Sequence, residues 1–171
     1  PKGDFMFRAL VLALSLSFPA VGFAQDGDPV TEFANDDAAM AAAQQTAQET
    51  LPLFLANATD TEGYGIASAA VKVAFNIGNN QTEVIWVGPF AWDGGQGMTG
   101  LLANQPNFMD GLNQGDQVDF EGSNIQDWAF WQQDGTAFGN FTTRVIAKGM
   151  GENGTDLLNR MITPAVPADW K

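Results

Sequence analysis

The chain has 171 residues with seven Lys plus Arg, twenty Asp plus Glu, and neither His nor Cys, giving a formal net charge of −13. The two zeros exclude disulfides, thiolate nucleophiles, iron–sulfur clusters and Cys- or His-ligated metals, together with His-based triads and imidazole general bases. The length suits one domain with a sizeable core, and 45% apolar content with thirteen Phe and five Trp opposes disorder despite the charge.

Residues 1–24 read as a secretory signal, with extra residues before a start at Met6. Arg8 supplies the positive charge, Ala9–Phe18 form an apolar run, and Pro19 ends it. Gly22-Phe23-Ala24 then sets small residues before Gln25. Such a run rises about 15 Å as a helix, half of a bilayer core of about 30 Å, so a cleaved signal fits better than an anchor. The expected protein is bacterial, periplasmic or secreted, with no membrane span after signal cleavage. Without Lys2, Arg8 and Asp4, residues 25–171 hold five cations and nineteen acids, a net charge of −14. That charge repels nucleic acid and anionic lipid, and serves either solubility or a cationic partner.

Residues 25–36 read as a flexible acidic leader. Asp36-Asp37 is positioned to cap a helix through an Ala/Gln-rich stretch whose Met40, Ala43, Ala47 and Leu51 form one apolar stripe. Pro52 either kinks that helix or opens a short second one burying Leu53, Phe54 and Leu55. From Ser68 the period becomes two: Val71, Val73, Phe75 and Ile77 face one way, Lys72, Ala74 and Asn76 the other. Gly78-Asn79-Asn80 turns the chain into a return strand, Glu83–Val87, which Pro89 ends.

A second hairpin pairs Phe90–Trp92 with Met98–Ala103 around Asp93-Gly94-Gly95. Asn107–Gln114 is a loop or one helical turn, and Gln117–Glu121 a short strand. Ile125–Gln132 and Thr136–Lys148 then flank Asp134-Gly135 as a third hairpin. Residues 149–171 form a Gly/Pro-containing tail whose Thr155–Ile162 makes two helical turns, with Thr155 as N-cap. Tight turns make neighbouring strands antiparallel. The expected fold is α+β, over residues 37–148: an N-terminal helix packed on a strongly bent antiparallel sheet of about six strands, either an open sheet or a partial barrel.

Seven segments recur in a familiar order: Leu51-Pro52-x-Phe54, Val71-Lys72-Val73-Ala74-Phe75, Ile85-Trp86-Val87, Gly100-x-Leu102-Ala103-Asn104-x-Pro106, Gly115-Asp116-x-Val118-x-Phe120, Ile125-x-Asp127-Trp128 and Gly139-Asn140-Phe141-Thr142-x-Arg144. In that order and spacing the chain resembles the bacterial domain of unknown function 2314 family, which includes the YegJ-like proteins. The resemblance covers about Asp37–Lys148. It implies a small α+β domain, often exported, and supplies no reaction.

Asn104, Asp127, Trp128 and Arg144 are the candidate ligand-binding residues. Arg144, read as lying inside a strand, offers a planar fork suited to a carboxylate. It either stitches strands through an internal pair with Asp127 or receives an anionic ligand. Trp86, Trp92, Trp128 and Trp131 fill the core, or else an exposed Trp131 or Trp92 forms a stacking platform for a sugar or peptide. Asp119 and Glu121 share a strand face roughly 7 Å apart, within the spacing of glycosidase carboxylates. Asp26-Gly-Asp28 and Asp60-Thr-Glu62 are oxygen-rich, but neither continues as an EF-hand. Ser123 and Lys148 read as a turn serine and a strand-end lysine.

No cofactor, metal site or catalytic residue is expected. The favoured function is a non-enzymatic binding or interaction domain with an unknown protein or small-molecule ligand. The alternative is a carboxylate-dependent hydrolase acting on an envelope or carbohydrate substrate, with Asp119 and Glu121 or Asp127 as acid and base.

Overall fold

The computed structural model describes residues 38–171. The secretory signal, the acidic leader with Asp26-Gly-Asp28, and the Asp36-Asp37 cap all lie outside the described residues.

Helix α1 runs unbroken over Ala38–Ala58. Ala43, Ala47 and Leu51 recur every fourth residue, and Phe54, Leu55 and Ala58 continue the buried stripe, as the period of an amphipathic helix requires. Met40 and Leu53, expected on that stripe, are half-buried. Pro52 lies inside the helix on its exposed side and starts no second one. Its lost hydrogen bond is offset by the apolar side chains buried on both sides of it.

Strands β1 (Ala69–Gly78) and β2 (Gln81–Trp92) form the first hairpin. Its two loop residues, Asn79 and Asn80, both take left-handed backbone, at φ 51° and 58°, the conformation that suits a two-residue turn to strand twist. Pro89 does not end β2. The strand continues to Trp92, and its pairing with β3 (Gly97–Leu102) slips between Val87 and Phe90. A residue without an N–H is tolerated in a strand at such a bulge.

The second hairpin forms as expected, with Phe90 opposite Gly100 and Trp92 opposite Met98. Strand β4 (Gln117–Glu121) follows the loop, and a turn of 3-10 helix (Gly122–Asn124) leads into β5 (Ile125–Trp131). Strand β6 is only Ala137–Gly139. The spatial order is β4-β3-β2-β1-β5-β6, all neighbours antiparallel. The six-stranded sheet does not close, yet it bends strongly, since three residues carry the chain from edge strand β4 into β5 and Phe75 of β1 meets Phe120 of β4 with ring centroids 6.3 Å apart.

The expected strand Thr136–Lys148 is overturned beyond Gly139. Asn140 turns in left-handed conformation, and Phe141–Gly149 form helix α2. Thr142, Thr143, Val145 and Ile146 are β-branched and read locally as strand. The helix wins because Asp127, remote in sequence, accepts hydrogen bonds from its first N–H groups. Helix α3 spans Glu152–Asn159 behind Gly151, so it begins earlier than the expected Thr155.

The chain then runs beside β6: Met161 bridges Ala137 in parallel, and Gly139 N–H donates to Ala165 O at 2.7 Å. Trp170 folds back on Phe54, Trp128 and Phe130, with ring centroids 6.3, 5.7 and 5.3 Å away.

The core lies between α1 and one face of the sheet. Val71 is flanked by Val87 and Trp128, and Val73 by Ile85 and Ile125, all fully or almost fully buried. Phe54 of α1 stacks on Trp128 at 4.8 Å and 19°. Between Lys72 and Val73 the β1–β5 pairing slips by one residue. Up to that point the regular register sets Asp127 opposite Lys72 on the other face, and the bulge returns Ile125 to the core face.

Candidate functional site

The four candidate residues do not form one pocket. Trp128 is fully buried, and its indole N–H donates to Thr50 Oγ1 at 3.0 Å. Asn104 is exposed just after β3, where its Oδ1 accepts the Trp86 N–H at 3.1 Å. Asp127 is also fully buried. Its Oδ1 accepts from Trp128 N–H (2.9 Å) and Phe141 N–H (3.0 Å), and its Oδ2 from Thr142 N–H (2.8 Å) and Oγ1 (2.6 Å). A carboxylate at a helix N-terminus meets both open donors and the positive end of the dipole. Burial nevertheless pushes this carboxyl above its ordinary value, against the pull of Thr142 and the Lys72 charge.

Arg144 sits on α2, not in a strand, and does not pair with Asp127. Its Nε donates to Gly139 O and its Nη2 to Ile162 O, both at 2.8 Å. Burial draws the guanidinium below its ordinary value while the Asp127 charge opposes this. The fork thus ties the end of β6 to the segment after α3. Arg144→Ala is expected to lower stability by about 1.5–3 kcal/mol, the range for hydrogen bonds to charged groups, read as a lower urea midpoint with faster amide exchange around Ile162.

The face of the sheet away from α1 carries a different group. Lys72 lies opposite both Trp86 and Asp127. Its ammonium sits 5.1 Å from the centre of a Trp86 ring, and it donates to Thr142 Oγ1 at 3.2 Å. Trp86 and Trp131 meet edge to face at 6.1 Å and 62°. Between them the strands carry small residues, Ala70, Gly88 and Ala129. A Cβ on Gly88 would come within 3.1 Å of the Ala70 methyl. Both indoles are half-buried, and Val84 and Leu101 beyond them are exposed. The first turn of α2 borders this shelf.

Residues 37–160 match the family described as an uncharacterized protein conserved in bacteria, DUF2314. The chain belongs to the DUF2314 family. No curated protein and no solved structure matches it.

In this DUF2314 domain several other carboxylates serve the fold. Glu83 was not foreseen: it is buried, and its two oxygens accept Asn107 N–H at 2.6 Å and Phe108 N–H at 2.8 Å, holding the loop after β3. Asp60 accepts Glu62 and Tyr64 N–H groups, both at 2.9 Å, to shape its own turn. Glu121 accepts the Ser123 hydroxyl at 3.3 Å, and Lys148 is exposed at the end of α2. Asp119 and Glu121 stand exposed on edge strand β4, four strands from β5. The oxygens of Asp127 go to Trp128, Phe141 and Thr142, and not to either of them. Among the described residues no group of three or more His, Cys, Asp or Glu could hold a metal, and no helix is long and apolar enough to cross a membrane.

Sequence reasoning offered Trp131 or Trp92 as the exposed ring, left Trp86 as core filling, and gave Lys72 no role beside it. Alternation did put Lys72 on the face opposite Val71 and Val73. The β1–β5 pairing that brings Trp131 alongside joins strands more than fifty residues apart and has no local signal.

Proposed function

We propose that the chain is a non-enzymatic binding domain, exported to the bacterial periplasm or beyond, that takes its ligand on the sheet face away from α1. One observation carries the reading: half-buried Trp86 and Trp131 meet over a floor of small residues on a face where Val84 and Leu101 are exposed. Large aromatic rings with apolar faces and a polar edge are the usual anchors of binding surfaces. The apolar run of residues 9–18 supports export.

The hydrolase alternative is left with Asp119 and Glu121, which share a strand face and are exposed. Exposure favours it little, because a general acid needs surroundings that raise its pKa.

The test is a double variant, Trp86→Ala with Trp131→Ala, titrated beside the unaltered protein against a panel of sugars and peptides. Loss of every response, with a small change in melting midpoint, is the expected result. Unchanged binding in the double variant refutes the shelf, and turnover of any panel member that ceases in Asp119→Asn or Glu121→Gln refutes the non-enzymatic reading.

A further inference from the structure

The geometry points to a neutral oligosaccharide as the ligand, seated in the cleft at the end of β5 with one sugar ring stacked on Trp131; this rests on the binding reading above. The cleft has a volume of about 420 Å³ and is lined by Ala67, Ser68, Phe130, Trp131, Gln132 and Gln133, within the size range of small-ligand sites. It opens beside the indole that meets Trp86, so the cleft and the shelf are continuous through Trp131.

The chemistry of the lining selects the class. None of the six residues is charged, in a chain of net charge −13. Within the lining itself an anionic ligand would find no cation and a cationic one no carboxylate, while Lys72 on the adjoining shelf is held over Trp86 and against Thr142. The nearby Asp134 spends its Oδ1 on the N–H and hydroxyl of Thr136, at 2.9 and 2.7 Å. What the lining does offer is one hydroxyl, two carboxamides and an indole N–H. None of these side-chain groups of Ser68, Gln132, Gln133 and Trp131 has a hydrogen-bond partner within the described protein.

A carboxamide both donates and accepts, as a sugar hydroxyl does. The C–H face of a pyranose is apolar and suits an indole. An extended peptide fits less well, because strand addition needs a free backbone edge. Here β5 is paired with β1 on one side and with β6 on the other.

The site is also held still before any ligand arrives. Trp131 N–H donates to Ser68 O at 2.8 Å, Gln132 N–H to Thr136 O at 2.7 Å, and Gly135 N–H to Gln132 O at 3.0 Å. Fixing the backbone under the stacking ring lowers the ordering cost of binding.

The test follows the Trp131 indole N–H resonance of the full chain during titration with cellotriose, maltotriose and chitotriose, with sialyllactose and a neutral tripeptide alongside. At least one neutral trisaccharide is expected to shift it saturably. With binding to the variants read by calorimetry, Trp131→Ala and Gln132→Ala are each expected to weaken it by about tenfold or more, through lost stacking and lost hydrogen bonds. Trp131→Phe keeps a ring and is expected to retain part of the affinity, which covers the case of an alanine variant that does not fold. Silence of all three neutral trisaccharides overturns the inference. A response to sialyllactose or the tripeptide alone overturns the sugar class proposed but leaves a binding shelf. Sugar binding indifferent to Trp86, Trp131 and Gln132 overturns both.

Discussion

Trp128→Ala is expected to destabilise the domain by about 3–5 kcal/mol, the cost of truncating a large buried aromatic. The side chain is fully buried at the point where α1, the sheet and the C-terminal segment converge. Phe54 stacks on it at 4.8 Å, Phe141 meets it edge-on at 5.4 Å, and Trp170 lies at 5.7 Å. Removing the indole therefore loses contacts to three elements at once and leaves Thr50 Oγ1 without its donor. Collapse is impeded because Gly139 is already tight against the ring, where an added Cβ would lie 2.5 Å from Trp128 Cε3. The melting midpoint is expected to fall by roughly 10 °C or more. An unchanged midpoint would sink the packing account.

Asp127→Ala is expected to cost about 3–5 kcal/mol, the range for removing one partner of a buried charged network. It strands four donors at once: the N–H groups of Trp128, Phe141 and Thr142, and the Thr142 hydroxyl. Amide exchange would rise first in the opening turn of α2, since this carboxylate holds the Phe141 and Thr142 N–H groups. The pH dependence has a definite sign. Burial raises the native pKa of Asp127 above its ordinary value of 3.8. Between those two values the native state holds a proton that the unfolded chain has released, so this group's contribution to stability falls as pH rises through the window. It is largest in acid. The stability of the unaltered protein minus that of Asp127→Asn, measured by urea unfolding from about pH 3 upward, is expected to decline with pH and then level off. A difference that grows with pH would show that the four hydrogen bonds outweigh burial.

The sequence by itself determined the family, the α+β class and most of the sheet. Period-two alternation is local, and so are the Asn79-Asn80 and Gly94-Gly95 turns that fold β1 onto β2 and β2 onto β3. The stripe Ala43, Ala47, Leu51 likewise announces α1. Tertiary structure decided what depends on residues distant in sequence. β-Branched Thr142, Thr143, Val145 and Ile146 become helix because a carboxylate fourteen residues upstream satisfies that helix's first donors. Arg144 then moves from the expected strand onto α2, and its fork goes to the carbonyls of Gly139 and Ile162 instead of to Asp127. The register of β5 on β1 sets Asp127 beside Lys72 and brings Trp131 to Trp86. Alternation tells which face of a strand a side chain takes, but strand order and register decide which other side chains share it.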